Sequence, residues 1–313
     1  AKGAKAISDN NQANDTNERA RDMYNDAKNK LEIARKETGD SLTNFGKKKI
    51  SCCQYTLKNF ITLFRQVKNI EAASSAGIDE LSKFKIDKQG VIHLEKLSVL
   101  ATSMATGTVT GAIAGGAVAF GAYGAAGALA TASTGTAIAG LSGAAATNAT
   151  LAFFGGGSLA AGGLGIAGGT MVLGGLVAGP ALLVLGVVMG AKASAKLDDA
   201  YSNLAQAKKV SAELGVLVAA CEAIKARCDL FTRLLIKVDM LMNAMNAGLE
   251  EVLTTEGADY NTYTKASKEK VMALLATAQA FKALIDTPLL DDNGKLLEDS
   301  LTVAQAVQKQ ITQ

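Results

Sequence analysis

Along Val210, Leu214, Leu217, Cys221, Ile224, Cys228, Phe231, Leu235, Val238, Met242, Met245, Leu249 and Val252 the apolar residues advance by alternating steps of four and three. That step keeps one stripe on one side of a helix. It predicts a single long helix, whose 43 residues from Val210 to Val252 span roughly 64 Å at ~1.5 Å per residue. A rod of that length needs partner helices, because most helical stability comes from packing an apolar face rather than from propensity.

Upstream, Ala20, Tyr24, Ala27, Leu31 and Ala34 show the same stepping, with Gly39 as the expected stop. Leu57, Phe60, Ile61, Phe64, Val67 and Ile70 line one stripe of a second helix. Beyond the long helix, Val271, Leu274, Ala278, Phe281 and Ile285 continue the pattern, "TPLLDDNGKL" makes a turn, and a last helix runs from about Leu296 to Ile311. In "FKIDKQGVIHL", residues 84–94, a strand pair around the turn residues DKQG competes with helix.

The middle of the chain breaks this regime. From Leu97 to Ala191 there are 95 residues without one Asp, Glu, Lys, Arg or His. An uncharged run beyond about 18 residues is a candidate membrane span. The strongest stretch, Leu164 to Ala191, is followed by Lys192 and Lys196, which are placed to anchor at a headgroup layer. Gly107, Gly111 and Gly115 fall four apart, as do Gly165 with Gly169, Gly175 with Gly179, and Gly186 with Gly190. On a helix this spacing lays down a strip without side chains, against which another backbone approaches closely. Each such glycine costs ~1 kcal/mol relative to alanine in a helix interior, so 23 of them between residues 101 and 190 favour helix packing in lipid. The alternative is a block wrapped permanently by the arms.

The expected fold is therefore all-α: long-helix antiparallel bundle or coiled-coil arms flanking a central glycine-zipper hydrophobic region. The divisions fall at 1–96, 97–191 and 192–313.

Charge adds little. The net formal charge is +3, and by arm it divides into +5 for residues 1–96 and −2 for residues 192–313. Neither arm is a basic footprint and tryptophan is absent, so nucleic acid is not an expected partner. His93 is the only histidine, which removes the parts for a triad or a histidine metal site and leaves a surface or packing role. Cys52, Cys53, Cys221 and Cys228 have no metal or disulfide spacing. Cys221 and Cys228 lie on the long seam as small hydrophobes. Cys52 and Cys53 follow Lys47, Lys48 and Lys49, a cluster suited to an anionic surface or acylation, or else a plain helix start.

The run "FGGGSLAAGGLGIAGG" lacks the strand context and the Lys-Ser or Lys-Thr pair of a nucleotide loop. The pairs Asp198-Asp199 and Asp291-Asp292 lack a calcium-loop spacing. No enzyme activity, cofactor or metal is expected. The first fifty residues hold no apolar leader, so the expectation is a protein made in the cytoplasm without a Sec signal. It is then either membrane-associated or converts from a soluble to an inserted form.

The runs "LSGAAATNATLAFFGGGSLAAGGLGIAGG" and "GGLVAGPALLVLGVVMGAKASAKLDDAYSNLAQAK" resemble a group of largely uncharacterised bacterial glycine-zipper proteins with helical arms. The likeness covers residues 97–210 and the arms only loosely, and it implies no settled activity. The layout is also similar to that of α-helical pore-forming toxins, with a longer and more glycine-rich head. That likeness implies an apolar head that inserts and helices that line a pore after oligomerisation.

The functional expectation is a membrane-inserting helical protein that oligomerises to permeabilise or remodel a bilayer. The alternative is a constitutive membrane-anchored scaffold that recruits a cytosolic partner through the seam from Val210 to Val252. The implied partners are a lipid bilayer, further copies of the chain and a helical protein. A third reading is a wholly soluble helical assembly.

Overall fold

A computed structural model describes residues 2–70, 79–106, 117, 120–124, 197–291 and 294–312. Among these residues the chain is helical, with no strand beyond two isolated bridges. The principal helices are α1 (Lys2–Cys52), α2 (Lys58–Phe64), α3 (Lys88–Thr106), α4 (Leu197–Glu256), α5 (Lys265–Asp286) and α6 (Asp299–Gln310).

Helix α4 has 60 residues and is about 90 Å long at ~1.5 Å per residue. Helix α1 has 51, so Gly39 does not end it. A Cβ at Gly39 would have open space around it, so nothing there forces a break. Instead α1 continues through a π turn, Cys53–Leu57, into α2. The wider π geometry is a single-turn irregularity of the kind found inside longer helices. Here the Thr56 carbonyl accepts from the fully buried Asn246 Nδ2 at 3.1 Å, which ties the turn to α4.

The two long helices run parallel, which corrects the antiparallel expectation for this pair. Gln12 bonds Tyr201, Asn203 bonds Asn17, Ser211 bonds Met23, Lys225 bonds Glu37, Lys48 bonds Asp239 and Asn246 bonds Thr56, both numbers rising together. The reason lies in the connections. Short loops force neighbours antiparallel, whereas the 90 residues between Thr106 and Leu197 allow the chain to return to the starting end. The short loop after Glu256 does produce an antiparallel pair: Lys270 meets Glu251 and Thr277 meets Met245.

Burial is uneven along the pair. Towards the N-terminal ends of α1 and α4 a small core holds Leu31, Val210, Leu214 and Cys221, with Tyr24, Ala27, Ala34, Leu217 and Val218 half-buried around it. Towards their C-terminal ends a larger core gathers α1, α2, α3, α4, α5 and α6 around Phe45, Phe60, Phe231 and Phe281. The described residues thus form a two-helix rod leading into a helical head.

Local signals fix the head's elements. Asp87 Oδ1 accepts from Gly90 N at 2.7 Å, an N-cap that starts α3 and replaces the possible strand pair of residues 84–94. Asn69, at φ 60°, closes the chain after α2 in a conformation asparagine tolerates. Its side chain bonds Asp259, and Lys68 exchanges backbone bonds with Ala258 and Tyr260, clamping the end of α2 to the end of α4. Thr264 caps α5 by accepting from Ser267 N at 3.2 Å. The turn after α5 pairs Leu290 with Leu296, and Gly294 takes φ 76° within it.

The membrane expectation is overturned. Among the described residues no helix is long and apolar enough to cross a membrane. The bilayer-permeabilising reading, its membrane-anchored scaffold alternative and the pore-lining layout all required one. The longest described helix, α4, carries 15 Asp, Glu, Lys and Arg residues along its length. Within the uncharged block, Leu97 and Ala101 of α3 and, further on, Ala117, Phe120, Ala122 and Tyr123 are buried in the head core, while Val99 is exposed.

Candidate functional site

The most unusual chemistry of the head is a lysine inside it. On α1 the residues Leu42, Phe45, Lys49 and Cys52 follow the seam's own step of three and four, so position 49 is a core position. Lys49 is 0% exposed. Its Nζ donates to the Phe120 carbonyl and to the Ile285 carbonyl, both at 3.1 Å. It also lies over the rings of Phe45 and Phe120, 4.4 Å and 5.2 Å from their centroids. Ile285 is in the last turn of α5, where free carbonyls and the helix dipole favour a cation.

Burial pulls the Lys49 amine down to about 7, and the nearby Asp286, Cys53 and Cys228 offset part of that penalty. Asp286 holds the cluster's negative charge. Its Oδ1 faces His93 Nε2 at 2.9 Å and its Oδ2 accepts from Lys282 Nζ at 2.7 Å. Burial alone would raise this carboxyl, but the His93 bond and the Lys282 charge outweigh it and hold it below the usual range. A carboxylate only accepts, so the His93 nitrogen donates. A cleft of about 350 Å³ opens beside this group, lined by Lys83, Phe84, Lys282, Asp286, Thr287, Pro288, Leu297, Asp299 and Val303.

Part of the uncharged block closes over the lysine. A Cβ at Gly46 would overlap the Ala117 carbonyl, and one at Gly121 would overlap the Leu42 carbonyl, so two backbones meet where side chains are missing. The Ala122 carbonyl accepts from Leu289 N and Leu290 N at 2.8 Å and 3.1 Å. Gly124 turns away at φ 62° against the Asp286 carbonyl.

The sequence-predicted positions fall as follows. Val210, Leu214, Cys221, Ile224, Cys228, Phe231, Leu235, Val238, Met242, Leu249 and Val252 are buried, while Leu217 and Met245 are half-buried. Gly107, Gly111, Gly115, Gly165, Gly169, Gly175, Gly179, Gly186, Gly190, Lys192 and Lys196 lie outside the described residues.

The basic cluster does not survive as a surface feature. Lys47 is exposed, Lys48 pairs with Asp239 at 2.9 Å, and Lys49 is enclosed, because successive helix positions are turned about 100° apart. Cys52 and Cys53 are buried, which removes the acylation reading. Burial pushes the Cys52 and Cys228 thiols up to about 12 and Cys53 well above its ordinary value. Sequence reasoning missed Lys49, Asp286 and the close approach at Gly46. For Lys49 the signal was present, since it falls on the apolar step between Phe45 and Cys52. For the other two there was none, because their partners are remote in sequence.

No protein-family model, curated protein or solved structure matches the chain. Its class is therefore defined by the fold alone: an all-α protein whose described residues form two long parallel helices joined to a helical head.

Proposed function

We propose that the chain is a non-enzymatic helical interaction protein, whose rod of α1 and α4 is a coiled-coil-like docking module for a second copy of itself. The observation that carries this reading is the incomplete seam of the rod. Among the described residues two helices cover the stripe from one side only, with Tyr24, Ala27, Ala34, Leu217 and Val218 half-buried there. Ile33 and Val216 stand out further, at 60% and 69% exposed. A further helix pair laid along the rod would cover this surface.

The absence of enzymatic activity is part of the same proposal. Support comes from the thiols, which burial disfavours as nucleophilic thiolates. The glycine-zipper reading of residues 97–191, and with it the resemblance to bacterial glycine-zipper proteins, belongs to the proposal as a second helix-packing surface.

Light scattering across a concentration series tests it. Wild-type protein is expected to self-associate, and Ile33→Glu with Val216→Glu to shift it towards monomer with helicity unchanged. A wild-type chain that stays monomeric at its highest workable concentration sinks the reading. Gly111→Leu and Gly175→Leu test the second surface, and oligomer size unaltered by both removes it.

A further inference from the structure

We propose that two copies of the chain meet antiparallel through one cleft of the rod, with Lys30 of each copy set against Glu37 of the other. The arrangement rests on the self-association proposed above and gives it a direction, a register and charge contacts.

Among the described residues a cleft of about 330 Å³ opens between α1 and α4 part-way along the rod. Lys30, Ile33 and Glu37 of α1 line it, spaced by three and four and so aligned on one stripe. Val218, Glu222 and Lys225 line it from α4. The middle is apolar, with Ile33 exposed and Val218 half-buried.

Charge is divided between the two ends of this cleft. The helices run parallel and Lys225 bonds Glu37, so Glu222 and Lys225 share the Glu37 end while Lys30 stands at the other. One end therefore carries an ammonium, and the other carries two carboxylates and one ammonium. A parallel copy laid on the cleft would put like ends together. A copy turned end for end about a two-fold axis brings Lys30 to Glu37 twice, as a self-complementary interface requires. The two positions are seven residues apart, roughly 10 Å at ~1.5 Å per residue, and Ile33 lies near the axis between them.

The partners these charges already have do not oppose the arrangement. Lys30 lies beside Asp26 and Glu37 beside Lys225, with every one of these side chains at least 40% exposed. Exposed pairs contribute little of themselves. Two charge contacts across an interface, by contrast, fix its register and disfavour the wrong alignment.

Sedimentation velocity on the full chain, over a concentration series, tests the register. Lys30→Glu and Glu37→Lys are each expected to raise the dimer dissociation constant by about tenfold or more, because each reversal turns two attractions into two repulsions. A one-to-one mixture of the two variants is expected to recover the wild-type affinity. In the mixed pair the new glutamate at position 30 meets the new lysine at position 37, and the native Lys30 meets the native Glu37. Single reversals without effect, or a mixture no tighter than either variant, overturn the register and leave the self-association of the rod standing. A wild-type chain that is monomeric throughout overturns both. An Ile33→Cys thiol shielded from maleimide in monomeric protein assigns the cleft to another part of the same chain and also overturns the proposal.

Should Glu37→Lys disturb the rod, disulfide trapping decides. The four native cysteines are buried, so Lys30→Cys and Glu37→Cys each add one exposed thiol. Mixed and mildly oxidised, the two variants are expected to link to each other in preference to themselves. Equal linkage of Lys30→Cys to its own kind overturns the antiparallel register.

Discussion

Lys48 and Lys49 adjoin in the sequence and occupy opposite electrostatic worlds. The Lys48 ammonium has a carboxylate partner, Asp239, at 2.9 Å and remains partly open to water. Lys49 is enclosed and is held by two carbonyls and two aromatic faces. Burial lowers both amines, but at Lys48 the bond to Asp239 outweighs it and the net direction is upward, whereas at Lys49 burial prevails.

Global stability should depend on pH through Lys49. Its folded value of about 7 lies below the unfolded value, so between the two the unfolded chain binds more protons and stability rises with pH. The rise is at most about 1.4 kcal/mol per pH unit, or roughly 2–3 kcal/mol from pH 7 to pH 9. Below about pH 7 both states carry the proton and this contribution is flat. Urea denaturation at several pH values measures it, and Lys49→Met should remove the slope.

Glycines of the same long helices should respond in opposite directions. Gly39 and Gly215 have open space where a Cβ would go, so Gly39→Ala and Gly215→Ala should each stabilise by about 0.5–1 kcal/mol through propensity. Gly46→Ala drives a methyl group into the Ala117 carbonyl and should destabilise by about 1–3 kcal/mol, a typical cost of overpacking. Denaturant midpoints separate the two cases, and a neutral Gly46→Ala would mean that the Ala117 backbone gives way there without cost.

The seam of α4 should be energetically graded. Phe231 is fully buried and meets Phe45 edge to face at 5.8 Å, so Phe231→Ala should cost about 3–5 kcal/mol. Leu217 has the same place in the repeat but is half-buried in the rod, and Leu217→Ala should cost about 1 kcal/mol or less, in proportion to the area it covers. Equal losses at the two positions, read from the same unfolding curves, would contradict the division into rod and head.

The helical class was legible because its signal is local. The four-three step from Val210 to Val252 fixes a stripe on one helix whatever that helix packs against. The Asp87 cap and the turn around Gly294 are equally local, written in a few adjacent residues. Even the buried lysine leaves a trace, since position 49 falls on the apolar step between Phe45 and Cys52.

Direction, enclosure and charge pairing are not local quantities. The pattern of α1 and of α4 reads the same whether the pair runs parallel or antiparallel, and only the folded chain chooses, through bonds between residues some 190 positions apart such as Lys48 and Asp239. The uncharged block has the composition of a lipid-facing segment, yet Phe120 and its neighbours are packed against protein, because burial satisfies an apolar surface in either medium. Sequence alone determined which residues seek shelter from water and at what spacing. The tertiary structure decided what shelters them, since contact between remote segments depends on geometry that no short stretch of chain encodes.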